Sequence, residues 1–237
     1  GNTVKTTATV LPDGSLVIDL YYTRNQYTVT VNKGTGISSV TGGGTYYYGA
    51  SVTVNATVST GYTWKNWTGS STSTNQQYTF TMGAANVTLT ANATVNSYTL
   101  TVNPNGGSWN STTSNSSFTL AYGSTKTIAN PTRTGYTFAG WTVSGSGSLS
   151  GTTYTQGAGN CTLTAKWTAN TYTLTVNPNG GSWDGKTSNS TFTIAYGSTK
   201  AIANPTRTGY TFAGWTVSGG GSMSGTTYTQ GAGNCTL

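Results

Sequence analysis

Residues 98–163 and 172–237 are one segment written twice: at a constant offset of 74 they agree at 58 of 66 positions. Repetition this close means a small structural unit used in series, each copy burying its apolar residues within itself or against the next. A third, diverged copy begins at Tyr27-Thr-Val-Thr-Val. It carries Gly61-Tyr-Thr-Trp-Lys-Asn-Trp-Thr68 where the others have Gly135-Tyr-Thr-Phe-Ala-Gly-Trp-Thr142 and Gly209-Tyr-Thr-Phe-Ala-Gly-Trp-Thr216. Its closing segment, Asn86-Val-Thr-Leu-Thr-Ala-Asn-Ala93, aligns with Asn160-Cys-Thr-Leu-Thr-Ala-Lys-Trp167. Leu16, Ile18, Leu20 and Tyr22 stand where Val87, Leu89, Ala91 and Ala93 stand, so residues 1–26 read as the closing hairpin of a preceding module. Its arms, Val4–Val10 and Ser15–Tyr22, meet at Pro12-Asp13-Gly14. The modules are therefore 1–26, 27–97, 98–171 and 172–237, the last lacking the counterparts of Ala165 and Trp167 at the end of its closing strand.

Within a module the period is two. Tyr98, Leu100 and Val102 face one way and Thr99 and Thr101 the other, and Phe118, Leu120 and Tyr122 repeat the pattern, which is that of half-buried strands. Tyr136 and Phe138 share one parity while Trp141 and Val143 take the other. A bulge at Ala139-Gly140 is predicted to return Trp141 to the core side. By the same reading Trp67 and Trp215 are core aromatics of their modules. Asn105-Gly106-Gly107 and Asn179-Gly180-Gly181 signal tight turns. Pro131 and Pro205 leave room for at most a short helix or an irregular crossing. Only Thr168 to Thr171 separate Trp167 from Tyr172, with no Gly or Pro. The expected fold is mainly β, a tandem array of small modules on semi-rigid junctions forming an elongated rod.

The order Tyr-Thr-Leu-Thr-Val-Asn-Pro-Asn-Gly-Gly from Tyr98, Ala-Tyr-Gly-Ser from Ala121, Asn-Pro-Thr-Arg-Thr-Gly-Tyr-Thr-Phe-Ala-Gly-Trp from Asn130 and Leu-Thr-Ala-Lys-Trp from Leu163 resembles the Listeria-Bacteroides repeat, also called the internalin B repeat. The resemblance covers residues 98–237, and residues 27–97 are similar to a divergent branch of the same group. The segment from Asp13 to Asn25 is similar to the end of a mucin-binding-type module. The resemblance implies a β-grasp-like fold and a place in large surface or secreted proteins, as stalk or auxiliary adhesive module. It implies no catalytic residues. The copies here lack the acidic residues common in such repeats and carry a cysteine the pattern does not demand.

Composition points the same way. Only 5% of the 237 residues are charged and neither His nor Glu occurs, which suits a secreted β protein kept soluble by hydroxyl and amide groups. The net charge of +7 is spread over ten single Lys and Arg residues without a cluster, so no nucleic-acid partner is expected. No apolar run approaches the ~20 residues of a membrane-spanning helix. The carboxylates are Asp13, Asp19 and Asp184, too few and too dispersed for an acid-base pair. With two cysteines and no histidine, neither a metal site nor a nucleophile-base arrangement can be written within one module. No cofactor and no enzymatic activity are expected. Cys161 and Cys235 read as buried small hydrophobes, since Val87 holds the position in the first copy.

Two surface features remain. Nine sequons, at Asn55, Asn66, Asn86, Asn92, Asn110, Asn115, Asn160, Asn189 and Asn234, mark glycan sites in a glycosylating host or the chance yield of an Asn-, Ser- and Thr-rich chain. Tyr46, Tyr47 and Tyr48 form either a sugar-stacking platform or a strand with alternate rings buried. The expected role is a structural stalk or fibre segment of an extracellular adhesin-like protein, whose partners are neighbouring modules or copies of itself. The rival is a binding module for surface glycans or host proteins. The unmatched ends fit a piece of a longer chain, or a filament in which Leu16, Ile18, Leu20 and Tyr22 of one chain complete the last module of another.

Overall fold

A strand of alternating character turns every second side chain away from water, and Val29 does so in β1 (Gln26–Lys33), the first strand of the divergent repeat. The computed structural model describes residues 11–15 and 22–237. Contacts divide the chain into two units, Gly1–Asn96 and Ser97–Leu237. Among the described residues all regular elements are strands, and no helix is long and apolar enough to cross a membrane. The N-terminal hairpin arms and Leu16, Ile18 and Leu20 lie outside the described residues. Between them the turn closes through Gly14 N–H donating to the Leu11 carbonyl at 2.9 Å, and Tyr22 is 82% exposed.

The first unit continues with β2 (Ile37–Thr41), β3 (Gly44–Tyr47), β4 (Ser51–Val58), β5 (Tyr62–Gly69), β6 (Gln77–Thr81) and β7 (Val87–Val95). One sheet has the order β3-β1-β7-β5, and its two central strands, the first and last of the module, run parallel from Val29↔Val87 to Lys33↔Ala91. A second sheet, β2-β4-β6, is antiparallel. One core joins Val52, Val54 and Ala56 of β4 to Val29, Leu89, Ala91 and Trp67 of the mixed sheet. Trp67 is 0% exposed, donates its indole N–H to the Gln76 carbonyl at 3.1 Å and meets Trp64 edge-on at 5.4 Å.

In the second unit the module 98–171 comprises β8 (Ser97–Asn103), β9 (Ser116–Ala121), β10 (Thr125–Thr127), β11 (Tyr136–Ser150) and β12 (Thr153–Ala169). β12 again pairs in parallel with the module's first strand, from Cys161↔Leu100 to Thr164↔Asn103, and forms a long hairpin with β11. The module 172–237 repeats the plan with β13 (Thr171–Val176), β14 (Ser190–Ala195), β15 (Thr199–Ala201), β16 (Ser218–Ser224) and β17 (Thr227–Thr236). Each holds its own core: Leu100, Val102, Ile128 and Leu163 in one, Leu174, Val176, Ile202 and Leu237 in the other. The mixed sheet with a parallel first-and-last pair is β-grasp-like, but the crossing past Pro131 is irregular, held by a bridge between Ser108 and Thr132.

The predicted bulge is present: the ladder slips between Phe138 and Gly140, and between Trp64 and Asn66 in the first module. Two details differ from the pattern. Val143 is 38% exposed although it pairs with Leu163, just ahead of the next irregularity between Gly145 and Gly147. Trp141 and Trp215 are half-buried, and the deeper aromatics of these modules are Trp109 and Trp183, whose indole N–H groups donate to the Ala129 and Ala203 carbonyls at 2.9 and 2.8 Å. Residues 210–217, the counterparts of 136–143, carry no ladder.

At the irregularity opposite Gly145-Gly147 sits a polar network. Gln156 is buried, its amide N–H₂ donates to the Gly157 and Gly159 carbonyls at 3.0 and 2.7 Å, and its oxygen accepts the Tyr154 hydroxyl at 3.2 Å. Burial, and then the Cys161 thiol beside it, push the Tyr154 hydroxyl well above the usual phenol range. Tyr228, Gln230 and Cys235 repeat the arrangement.

A single asparagine starts each parallel ladder. The side-chain oxygens of Asn86, Asn160 and Asn234 accept the backbone N–H of Thr28, Thr99 and Thr173 at 2.8, 2.9 and 2.9 Å. These residues are exposed, so water competes for the bond. Asn160→Ala is expected to cost about 1 kcal/mol, read as faster hydrogen exchange at the Thr99 amide.

Candidate functional site

β12 ends at Ala169 and β13 begins at Thr171, so one residue, Asn170, joins two modules. It is bonded on three sides. Its N–H donates to the Gly135 carbonyl at 2.9 Å, its carbonyl accepts the Tyr196 N–H at 2.8 Å, and its side-chain oxygen accepts the Thr137 hydroxyl at 2.5 Å. Tyr196, just past β14, places its ring against Gly135 at the head of β11. A Cβ on Gly135 would stand 2.3 Å from that ring, and the φ of +77° also requires glycine. Tyr136 meets Tyr196 edge-on at 5.4 Å, and the Arg133 guanidinium lies 3.9 Å from the Tyr136 ring centre.

The same residues recur at 207–210 without a ring to cover them. Gly209 has the same φ of +77° and nothing within 4 Å of its would-be Cβ, and Tyr210 is 67% exposed. Arg207 still lies 4.1 Å from the Tyr210 ring centre and donates to the Asn179 carbonyl at 3.2 Å, as Arg133 donates to the Asn105 carbonyl at 3.3 Å. The pair is thus set by its own module, and the neighbour's tyrosine is added to it.

Beside the junction runs an open groove of about 630 Å³. Gly106 and Gly107 form its floor, Arg133 and Tyr136 one wall, and Tyr196 extends it. A groove at Arg207 and Tyr210 has the equivalent floor, Gly180 and Gly181.

The other candidate residues are dispersed. Tyr46 packs against the first module's core and donates its hydroxyl to the Gly42 carbonyl at 3.1 Å, leaving Tyr47 and Tyr48 as the exposed rings of the triplet. Arg24 lies 5.8 Å from the Tyr47 ring centre. Of the sequon asparagines, Asn55, Asn110, Asn115 and Asn189 are exposed, as are Asn86, Asn160 and Asn234, whose oxygens start the ladders. Asn92 is different: its amide nitrogen donates to the side-chain oxygen of Asn66 at 3.3 Å and to the Thr68 hydroxyl at 3.0 Å, so the atom a glycan would join is engaged. Cys161 and Cys235 are buried and unpaired. Asp13 sits in the N-terminal turn, where hydrogen bonds from Ser15 hold its carboxyl below the usual range; Asp184 sits in a turn of the last module at φ 47°; Asp19 lies outside the described residues.

Residues 27–97 match the family described as the divergent InlB B-repeat domain. Residues 98–166 and 172–237 each match the Listeria-Bacteroides repeat domain. No solved structure matches the chain.

Proposed function

Because the chain belongs to the Listeria-Bacteroides repeat family, whose repeats are typical of surface proteins and generally non-catalytic, we propose that it is a load-bearing spacer, the stalk or fibre segment of an extracellular adhesin-like protein. The observation that carries this reading is the parallel pairing of the first and last strand in every module, β1 with β7, β8 with β12 and β13 with β17. Tension applied to the ends of a module runs along these two strands in opposite directions. It shears their hydrogen bonds together rather than opening them one by one, so resistance is concentrated where the load enters. The asparagine that starts each ladder adds one more bond on the same line. A one-residue junction passes the load from β12 into β13 with little slack.

Single-molecule pulling on the full chain tests this. The expected trace shows discrete force peaks, each releasing one module of roughly 70 residues and therefore about 200–250 Å of chain. A smooth extension without peaks would remove the load-bearing role.

A further inference from the structure

We infer that the groove beside each Arg-Tyr pair of the two near-identical repeats binds an acidic sugar, the carboxylate of a uronate-bearing glycan meeting Arg133 and the sugar ring lying against Tyr136 and Tyr196. This does not rest on the spacer reading.

The chemistry of the groove is unspent. Arg133 uses one donor on the Asn105 carbonyl and stacks on Tyr136, and no Asp or Glu occurs anywhere between residues 97 and 183 to neutralise it. A guanidinium held flat by a ring keeps its remaining donors in a fixed fork that matches a carboxylate. Around it stand the hydroxyls of Ser108, Thr113, Thr132 and Thr134, which make no hydrogen bond among the described residues. Short hydroxyls spaced along an open groove suit the many hydroxyls of a glycan. Tyr136 and Tyr196, crossed at 75°, also line the groove and offer aromatic surface to the C–H groups of a pyranose.

The repeat supplies its own comparisons. The groove at Arg207 is lined by residues displaced by 74 from those at Arg133. The divergent module has Ser59-Thr60-Gly61 where the others have Arg133-Thr134-Gly135, so it lacks the cation altogether. A site in each of the two near-identical repeats and none in the divergent one are therefore expected.

The test is calorimetric titration of the full chain with oligogalacturonate at physiological ionic strength, beside a neutral maltooligosaccharide of equal length and a poly-glutamate peptide. Binding of the uronate alone is expected, with Arg133→Gln and Arg207→Gln each weakening its own site about tenfold or more and the double variant abolishing binding. Since Arg133 also stacks on Tyr136, Thr134→Val serves as a second variant that leaves the cation in place, and it is expected to weaken binding several-fold with unchanged hydrogen exchange in β11. Equal binding of the neutral oligomer, equal or tighter binding of poly-glutamate, or full affinity in the Arg133→Gln/Arg207→Gln chain would overturn the assignment.

Discussion

A methyl group added at Gly135 is expected to cost about 2–5 kcal/mol, and one added at Gly209 only about 1–2 kcal/mol, although both positions have the same backbone and the same following sequence. The shared part is the left-handed conformation: φ is +77° at each, and an alanine there carries a strain of about 1–2 kcal/mol. The rest belongs to Tyr196. At Gly135 the new Cβ would sit 2.3 Å from the ring, closer than any carbon can approach, and at Gly209 nothing lies within 4 Å. The ring is not free to yield, since its backbone N–H is bonded to Asn170 and its edge meets Tyr136. Overpacking of this kind adds about 1–3 kcal/mol. A chain of several modules does not unfold in one two-state step. The comparison is therefore best made by native-state hydrogen exchange at the amides of β11 and β13 in Gly135→Ala and Gly209→Ala. Equal losses in the two variants would mean that the Tyr196 contact contributes nothing.

Replacing Gln156 with methionine is expected to destabilise its module by about 2–5 kcal/mol despite the close match in shape. The substitution leaves the Gly157 and Gly159 carbonyls without their donor and the Tyr154 hydroxyl without its acceptor, and a buried orphan costs about 1–3 kcal/mol. The divergent module shows a compatible set: Phe80, Met82 and Val87 stand where Tyr154, Gln156 and Cys161 stand, and Met82 is buried. Moving all three residues together, as Tyr154→Phe, Gln156→Met and Cys161→Val, removes the stranded hydroxyl along with its partner. The triple variant is expected to be more stable than Gln156→Met alone, a coupling that only neighbouring groups produce. Urea denaturation followed by hydrogen exchange in β12 measures both; losses that simply add would contradict the network.

The features legible in the sequence were the local ones. Alternation placed the strands, the parity break at Ala139-Gly140 located a bulge, and the valine opposite two cysteines put both thiols inside. What escaped depends on partners far along the chain. Trp109 lies in a glycine-rich turn with no alternation to mark it, and it is buried by partners distant in sequence, with Phe118 against its ring and the Ala129 carbonyl on its indole N–H. Gln156 sits among exposed-looking Thr and Gly residues, and its burial follows from a slip between β11 and β12 that no period of two encodes. The junction was visible as a short linker, but Gly135 and Tyr196 are 61 residues apart, and nothing in either neighbourhood announces their contact. The parallel pairing of first and last strands is likewise a property of topology, invisible in the residues that form it.

In the proposed spacer, Asn170, Gly135 and Tyr196 hold modules 98–171 and 172–237 at a fixed angle. Pulsed dipolar spectroscopy tests it directly, with Cys161→Val and Cys235→Val removing the buried thiols and Thr152→Cys and Thr226→Cys carrying labels at the equivalent exposed hairpin tips. A single narrow distance distribution is expected, broadening when Gly135→Ala is added; a distribution already broad before that substitution would contradict the account.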